Sequence, residues 1–177
     1  MFYCLLESPP TSWFKVNTDG ACNQSTLRSA AGGVIRNDEG RFELAFFWFL
    51  GRSTSLIAEL KAIWKGLKLC KELNLTNVIV ETDSTTAIAL IKKSDMQWNW
   101  KMGLIVQNIL DLTKHMCIVF SHVYREGNKA ADHMANIAIN SRSSGIWRPG
   151  DCSIPFRQLM YQDKIGAPYL RRKKIAN

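Results

Sequence analysis

Apolar and polar residues alternate along the first predicted strand, which runs from Trp13 to Cys22. Successive side chains of a strand point to opposite faces, so this pattern is typical of a strand with one buried face. Asp19 ends the alternating run, and the following Gly20 lets another backbone or a phosphate come close. We therefore expect the strand to present the Asp19 carboxylate at an edge, with a simple Asp-Gly turn as the alternative.

Two further strands and an amphipathic helix follow this segment. Residues 30–37 and 41–50 have the length and composition of strands, and their short links favour an antiparallel meander with the first strand. From Leu56 onward the apolar residues recur every three or four positions, which indicates a helix that lies on a sheet. Glu59 lies on or beside the apolar face of this helix, where burying a carboxylate is costly. The alternative is an acid that favours the positive N-terminus of the helix.

The second half of the chain predicts two more strands and three helices. Residues 77–82 form a β-branched run typical of a buried strand, and Asp83 follows at a turn from strand to helix. Ligands of α/β sheets gather at such turns, although an ordinary helix-capping aspartate is the alternative. The remaining pattern predicts a short helix through Ile91, a helix over Trp100–Lys114, a strand over Met116–Val123 and an alanine-rich helix over Lys129–Ile139 with Asp132 in its first turn.

This order of elements predicts an α/β fold with a mixed five-stranded sheet that carries helices on both faces. Three strands are expected to be antiparallel and the last two parallel. We expect residues 1–11 to be a lead-in, residues 12–139 to form the domain, and residues 140–177 to form a basic C-terminal tail. The chain length of 177 residues suits a single domain of this kind.

Charge and cysteine content narrow the class of protein. The net charge of +8 is concentrated in residues 140–177, which hold eight Lys and Arg residues and two Asp residues. Such a tail suits a polyanionic partner or a nuclear import signal at residues 171–174, or it is merely solvated. Five widely spaced cysteines without a CxxC pair favour a reducing compartment. Because no membrane span is predicted either, we expect an intracellular location in the nucleus or cytoplasm.

Four acids lie in short motifs that follow one another along the chain: NTDGA with Asp19, AEL with Glu59, ETDS with Asp83 and REGNKAAD with Asp132. Over about residues 12–139 this ordered set resembles type 1 ribonuclease H. It is most similar to the ribonuclease-H-like domains of plant non-LTR retroelement reverse transcriptases. Those domains share a lead-in like SPPTSWFKVNTDGA, the segment GGVIRN and the ending REGNKAAD. Each motif alone is weak, whereas the ordered set is specific.

The resemblance implies a ribonuclease H-like fold in which the first and fourth strands are adjacent and parallel, so that the four acids meet. Carboxylates held so close repel one another unless divalent cations neutralise them, and oxygen ligands suit Mg²⁺ or Mn²⁺ rather than zinc. The implied protein is a metal-dependent endonuclease that hydrolyses the RNA strand of RNA–DNA hybrids with two Mg²⁺ ions, or with Mn²⁺. In this interpretation Asp19 contacts both ions, Glu59 and Asp83 hold one, and Asp132 helps to hold the other. We expect a monomer or part of a larger retroelement polyprotein.

The resemblance also implies a set of nucleic-acid contacts around these acids. The expected contacts are Gly20, Ala21, Cys22, Ser55, Thr85, Arg125 and Asn128. Members of the family often carry Asn or Gln where this chain has Ser55 and Thr85. Many also have a histidine in the loop before the last aspartate, where this chain reads REGN and Arg125 is a candidate phosphate-binding group. The alternative function is therefore a catalytically weak or inactive, retroelement-derived domain that binds nucleic acid.

Overall fold

The computed structural model describes residues 2–4, 8–93, 99–165 and 169–171. The strands within these ranges are β1 (Phe2–Cys4), β2 (Phe14–Cys22), β3 (Arg28–Arg36), β4 (Phe42–Arg52), β5 (Asn77–Thr82), β6 (Cys117–His122), β7 (Gly145–Trp147) and β8 (Tyr169–Arg171). The helices are α1 (Ser55–Glu72), α2 (Thr85–Lys92), α3 (Trp100–Thr113), α4 (Lys129–Ser141) and α5 (Ile154–Lys164). A single 3-10 turn, Arg125–Gly127, precedes α4.

The main sheet has six strands in the order β6-β5-β2-β3-β4-β7. Strand β2 runs parallel to β5, and β5 runs parallel to β6, which confirms the predicted adjacency of the first and fourth strands of the domain. Strands β3, β4 and β7 follow in antiparallel pairing. The predicted five-stranded sheet is wrong by one strand, because β7 adds to β4 at residues 45–47. A strand of three residues is too short to show an alternating pattern.

Helices cover both faces of this sheet, as the pattern predicts. Adjacent strand residues point to opposite faces, so Val34 and Ile35 enter two different cores. The α1-side core lies under α1, α2 and α3 and contains Val16, Ile35, Leu44, Phe46, Leu60, Ile63, Leu67, Leu69, Cys70, Val78, Val80, Ala87, Leu90, Ile91, Val106, Ile109 and Met116. The α4-side core lies under α4 and α5 and contains Val34, Ala45, Ala130, Met134, Cys152, Phe156 and Met160.

Part of the sequence assigned to the basic tail is folded against the domain. Helix α5 inserts Phe156 into the α4-side core, where this side chain is fully buried. The Arg36 guanidinium of β3 also forms an ion pair of 3.1 Å with Asp163 of α5, and both side chains are buried. The basic residues Arg172, Lys173 and Lys174 lie outside the described residues. None of the described helices combines the length and apolar character that a membrane span requires.

Candidate functional site

Strand β2 presents Asp19 where parallel pairing with β5 stops. The last parallel pair joins Thr18 to Thr82, the final residue of β5. On its other side β2 continues beyond Asp19 to Cys22, paired with β3. The strand predicted over Trp13–Cys22 is confirmed to within one residue, and hydrogen bonds to β3 carry β2 three residues beyond the end of the alternating run at Asp19. Asp19 has one neighbouring strand at this position and is only 6% exposed.

A close contact between β2 and α1 places Glu59 beside Asp19. A side chain on Gly20 would overlap the backbone of Ala58 and Glu59, so only glycine allows this approach of helix and strand. Glu59 is 8% exposed, and its Oε2 atom accepts a hydrogen bond of 3.5 Å from the Thr82 hydroxyl. The first turn of α1 contains no acid, so Glu59 is not explained as a charge at the helix N-terminus.

Asp83 completes a compact group of three acids. It follows β5 directly, but the cap of α2 is supplied by Ser84, whose side chain accepts a hydrogen bond of 3.2 Å from Ala87 N. The helix-capping alternative for Asp83 is therefore wrong, and its carboxylate is available to the site. Asp19, Glu59 and Asp83 each offer one carboxylate oxygen, and these three oxygens lie within 4.8 Å of one another.

Asp132 approaches the same site from the opposite side, on the first turn of α4. It lies outside the compact group of three acids but lines the same cavity. Asn136 donates a hydrogen bond of 3.0 Å to Asp132 Oδ2, and the Arg125 Nη2 atom lies 3.7 Å from Asp132 Oδ1. Asp132 is therefore a fourth acid of this cavity, carried by a helix other than the one that carries Glu59.

These acids line an open, polar cavity of about 600 Å³. The cavity is lined by Asp19, Gly20, Ala21, Cys22, Asn23, Ser55, Glu59, Asp83, Arg125, Asp132, Asn136, Ile139 and Asn140. The structure thus brings most of the expected nucleic-acid contacts together with the acids. It does not bring in Thr85, which is exposed on α2, or Asn128, which is 1% exposed and bonded within the protein.

Four residues of the cavity are missing from the set that the sequence indicates. Asn136, Ile139 and Asn140 follow Asp132 at four, seven and eight positions along α4, so they share its face of the helix. That spacing is a signal that could have identified them once Asp132 was assigned to a helix. The fourth, Asn23, directly follows β2 and has no such periodic signal.

Burial and mutual repulsion make these carboxyl groups difficult to ionise. Burial raises the pKa of Asp19 to about 7, and the charges of Asp83 and Asp132 contribute, while Arg125 acts in the opposite direction. Burial and the nearby acids likewise raise the pKa of Glu59 to about 9. The pKa of Asp83 is raised chiefly by burial. A positive charge among these oxygens would relieve the cost of ionisation, so the donor set fits a divalent cation that prefers oxygen ligands.

Two sequence comparisons match this chain over most of its length. A family model described as reverse transcriptase-like matches residues 17–138. A curated protein of Arabidopsis thaliana, named as a candidate ribonuclease H protein, is 31% identical over 169 residues. The match covers 95% of this chain and 27% of the relative, so the chain spans about a quarter of the relative's length.

Solved ribonuclease H structures share the fold of this chain. Ribonuclease H1 of the archaeon Halobacterium salinarum superposes with a TM-score of 0.69 at 20% identity, covering 73% of this chain and 98% of that one. An N-terminal ribonuclease H domain from Mycobacterium tuberculosis superposes with a TM-score of 0.68 at 21% identity, covering 73% of this chain and 94% of that one. LC11 ribonuclease H1, solved in complex with an RNA/DNA hybrid, superposes with a TM-score of 0.67 at 21% identity, covering 73% of this chain and 98% of that one. At these identities the likeness shows the fold.

Proposed function

Because the chain belongs to the reverse transcriptase-like family and has a ribonuclease H-like fold, we propose that it is a metal-dependent endonuclease that hydrolyses the RNA strand of RNA–DNA hybrids. The observation that carries this proposal is the meeting of Asp19, Glu59 and Asp83 at one edge of the sheet, within 4.8 Å of one another. The cavity around them is open to solvent, as a site for a polymeric substrate must be.

Asp19, Glu59 and Asp83 would hold the metal, with Asp132 contributing from α4. Two ions, Mg²⁺ or Mn²⁺, suit a set of four carboxylates in one cavity. When bound, such cations supply positive charge that polarises the scissile phosphate and stabilises the attacking and leaving oxygens. The raised pKa values of Asp19 and Glu59 support this assignment, because these groups gain most from a positive charge nearby.

The other residues of the cavity have proposed roles in binding the substrate. Backbone groups around Gly20, Ala21 and Cys22, with the Ser55 hydroxyl, would contact the 2′-hydroxyl groups that distinguish RNA from DNA. The exposed guanidinium of Arg125 would bind a phosphate and orient it toward the acids. Thr85 stays a proposed contact for nucleotides outside the cavity. The protein would act as a monomer or as part of a larger retroelement polyprotein.

One observation favours the second candidate function, a domain that binds nucleic acid with weak or no catalysis. The loop before α4 reads REGN, and the residues that line the cavity in the described parts of the chain include no histidine. Proton transfer during product release would then have no imidazole in the cavity to carry the proton.

A cleavage assay with a labelled RNA–DNA hybrid tests the proposed function. We expect nicking of the RNA strand that requires Mg²⁺ or Mn²⁺. Asp19→Asn should lower the rate roughly a thousandfold, about 4 kcal/mol of barrier, because it removes a carboxylate from the metal ligands. Asp111→Asn is the matched control, since Asp111 is an exposed acid of α3 outside this cavity. Binding of the hybrid without cleavage by the metal-loaded wild type would favour the second candidate.

A further inference from the structure

A buried asparagine ties the start of α4 to the strand that carries Asp19. The Asn128 side chain donates a hydrogen bond of 2.9 Å to the carbonyl oxygen of Thr18, the residue before Asp19. It also accepts one of 3.3 Å from the side-chain amide of Asn17. Both asparagines are essentially inaccessible to solvent. Because these bonds are directional, they fix the distance and orientation of the first residue before α4 relative to β2.

An ion pair between β2 and β5 holds Asn17 in turn. The Asn17 side-chain amide donates a further hydrogen bond of 2.9 Å to Glu81 Oε2. The other oxygen of Glu81 lies 2.7 Å from Lys15 Nζ, and these two side chains are only 12% and 6% exposed. A buried ion pair generally costs as much in desolvation as it returns in attraction, so stability alone gives it no advantage over apolar residues.

The network formed by Lys15, Asn17, Glu81 and Asn128 touches each of three elements that lead to an acid. Residues Lys15 and Asn17 lie on β2 before Asp19, and Glu81 lies on β5 two positions before Asp83. The Asn128 carbonyl accepts the hydrogen bond of 3.1 Å from the backbone N–H of Asp132. Few hydrogen bonds therefore separate the backbone of Asp132 from the strands that carry Asp19 and lead to Asp83.

We infer that the network of Lys15, Asn17, Glu81 and Asn128 positions Asp132 against Asp19 and Asp83, and thereby sets the affinity of the site for divalent cations. These four are positioning residues, because none of them lines the cavity. Within the described residues, Asn17 Oδ1 has no hydrogen-bond partner, so an asparagine here is costly to the fold. The effect on cleavage rests on the proposed function, whereas the effect on cation binding is independent of hybrid cleavage.

Substitution of Asn17 by leucine, which has a similar size, tests the inference because it removes both hydrogen bonds of its amide. We expect Asn17→Leu to weaken Mn²⁺ binding about tenfold, measured by electron paramagnetic resonance without substrate. The backbone amide resonances of residues 129–132 should shift in nuclear magnetic resonance spectra. If the hybrid is cleaved, kcat should fall about 10- to 100-fold while KM changes less than twofold, since the substrate contacts are intact.

Ile109→Val serves as the matched control, because Ile109 is fully buried in the α1-side core and is not part of the network. It should lower the melting temperature while leaving Mn²⁺ affinity and kcat unchanged. In a double-mutant cycle, Glu81→Leu and Asn17→Leu together should weaken Mn²⁺ binding by less than the sum of the two single losses, because the two residues share the hydrogen bond that joins them. If Asn17→Leu does not fold, Asn17→Thr offers a smaller side chain that suits a strand.

The inference would be overturned if a folded Asn17 variant were less stable than wild type but bound Mn²⁺ with wild-type affinity. The network would then contribute to stability alone. Additive losses in the double-mutant cycle would overturn it as well. A wild-type protein that binds Mn²⁺ but leaves the hybrid intact would contradict the proposed function instead. In that case the comparison of Mn²⁺ affinities between wild type and Asn17→Leu still decides the inference.

Discussion

The two faces of the sheet differ in chemistry. The α1-side core is large and almost entirely apolar, and it joins three helices to four strands. The opposite face has a smaller apolar core beside buried polar side chains of β2 and β3, among them Lys15, Asn17 and Arg36. Arg36 is paired with Asp163 of α5, and Lys15 is paired with Glu81.

This difference indicates a division of roles between the faces. Apolar burial is not directional, so the α1-side core contributes stability without fixing any one side chain closely. Hydrogen bonds and ion pairs are directional, and they are concentrated on the face where α4 presents Asp132 to the cavity. We therefore expect substitutions on the two faces to separate stability from cation binding.

The largest expected effect on the free energy of unfolding comes from shortening one buried side chain on each face of the sheet. Leu67→Ala and Phe156→Ala each remove a fully buried side chain, from the α1-side and α4-side cores respectively. Each should lower the free energy of unfolding by about 4 kcal/mol in chemical denaturation. Phe156 belongs to the segment that the sequence assigns to the tail, so this result would make α5 part of the folding unit. A loss below about 1 kcal/mol for Phe156→Ala would instead make α5 a dispensable addition.

The next prediction is a pH dependence of the free energy of unfolding, caused by the buried acids Asp19 and Glu59. Below their ordinary pKa values, near 4, Asp19 and Glu59 are protonated in folded and unfolded protein alike. As pH rises, the unfolded chain releases its protons first, so the folded state loses stability until pH passes about 7 for Asp19 and about 9 for Glu59. In chelator, the free energy of unfolding should therefore fall steadily as the pH rises from 5 to 8.

A substitution and a cation each sharpen this pH measurement. Glu59→Gln should remove part of the fall, because the amide does not titrate. Mn²⁺ should restore stability more at pH 8 than at pH 5, since the ionised carboxylates are its ligands. Equal slopes for wild type and Glu59→Gln in chelator would show that other groups cause the pH dependence.

The smallest effect should come from the cap of α2, which lies on the apolar face. Ser84→Ala removes the side chain that accepts a hydrogen bond from Ala87 N and should cost about 1 kcal/mol of stability. Mn²⁺ affinity should stay unchanged, because Asp83 keeps its place at the end of β5. A smaller loss of stability together with weaker Mn²⁺ binding would mean that Asp83 has moved to cap the helix.

The sequence by itself determines most of the local structure. The period of apolar residues indicates the strands and helices of the domain, and the predicted strand over residues 77–82 matches β5 at both ends. The order of the motifs, through a family resemblance, indicates the four acids. These features depend on residues close together in the chain, so a pattern of side chains is sufficient to reveal them.

Only the tertiary structure decides which side chains meet. The family resemblance predicts that Asn128 contacts nucleic acid from a loop. In the structure its side-chain amide instead donates a hydrogen bond to the carbonyl oxygen of Thr18, which lies 110 positions earlier. Strand β7 has three residues and no period of its own, and it forms because β4 offers a free edge. The meeting of Asp19, Glu59 and Asp83 depends on strand order and on the close packing of α1 at Gly20. Long-range hydrogen bonds and packing of this kind leave no periodic signal along the chain, so the fold alone settles them.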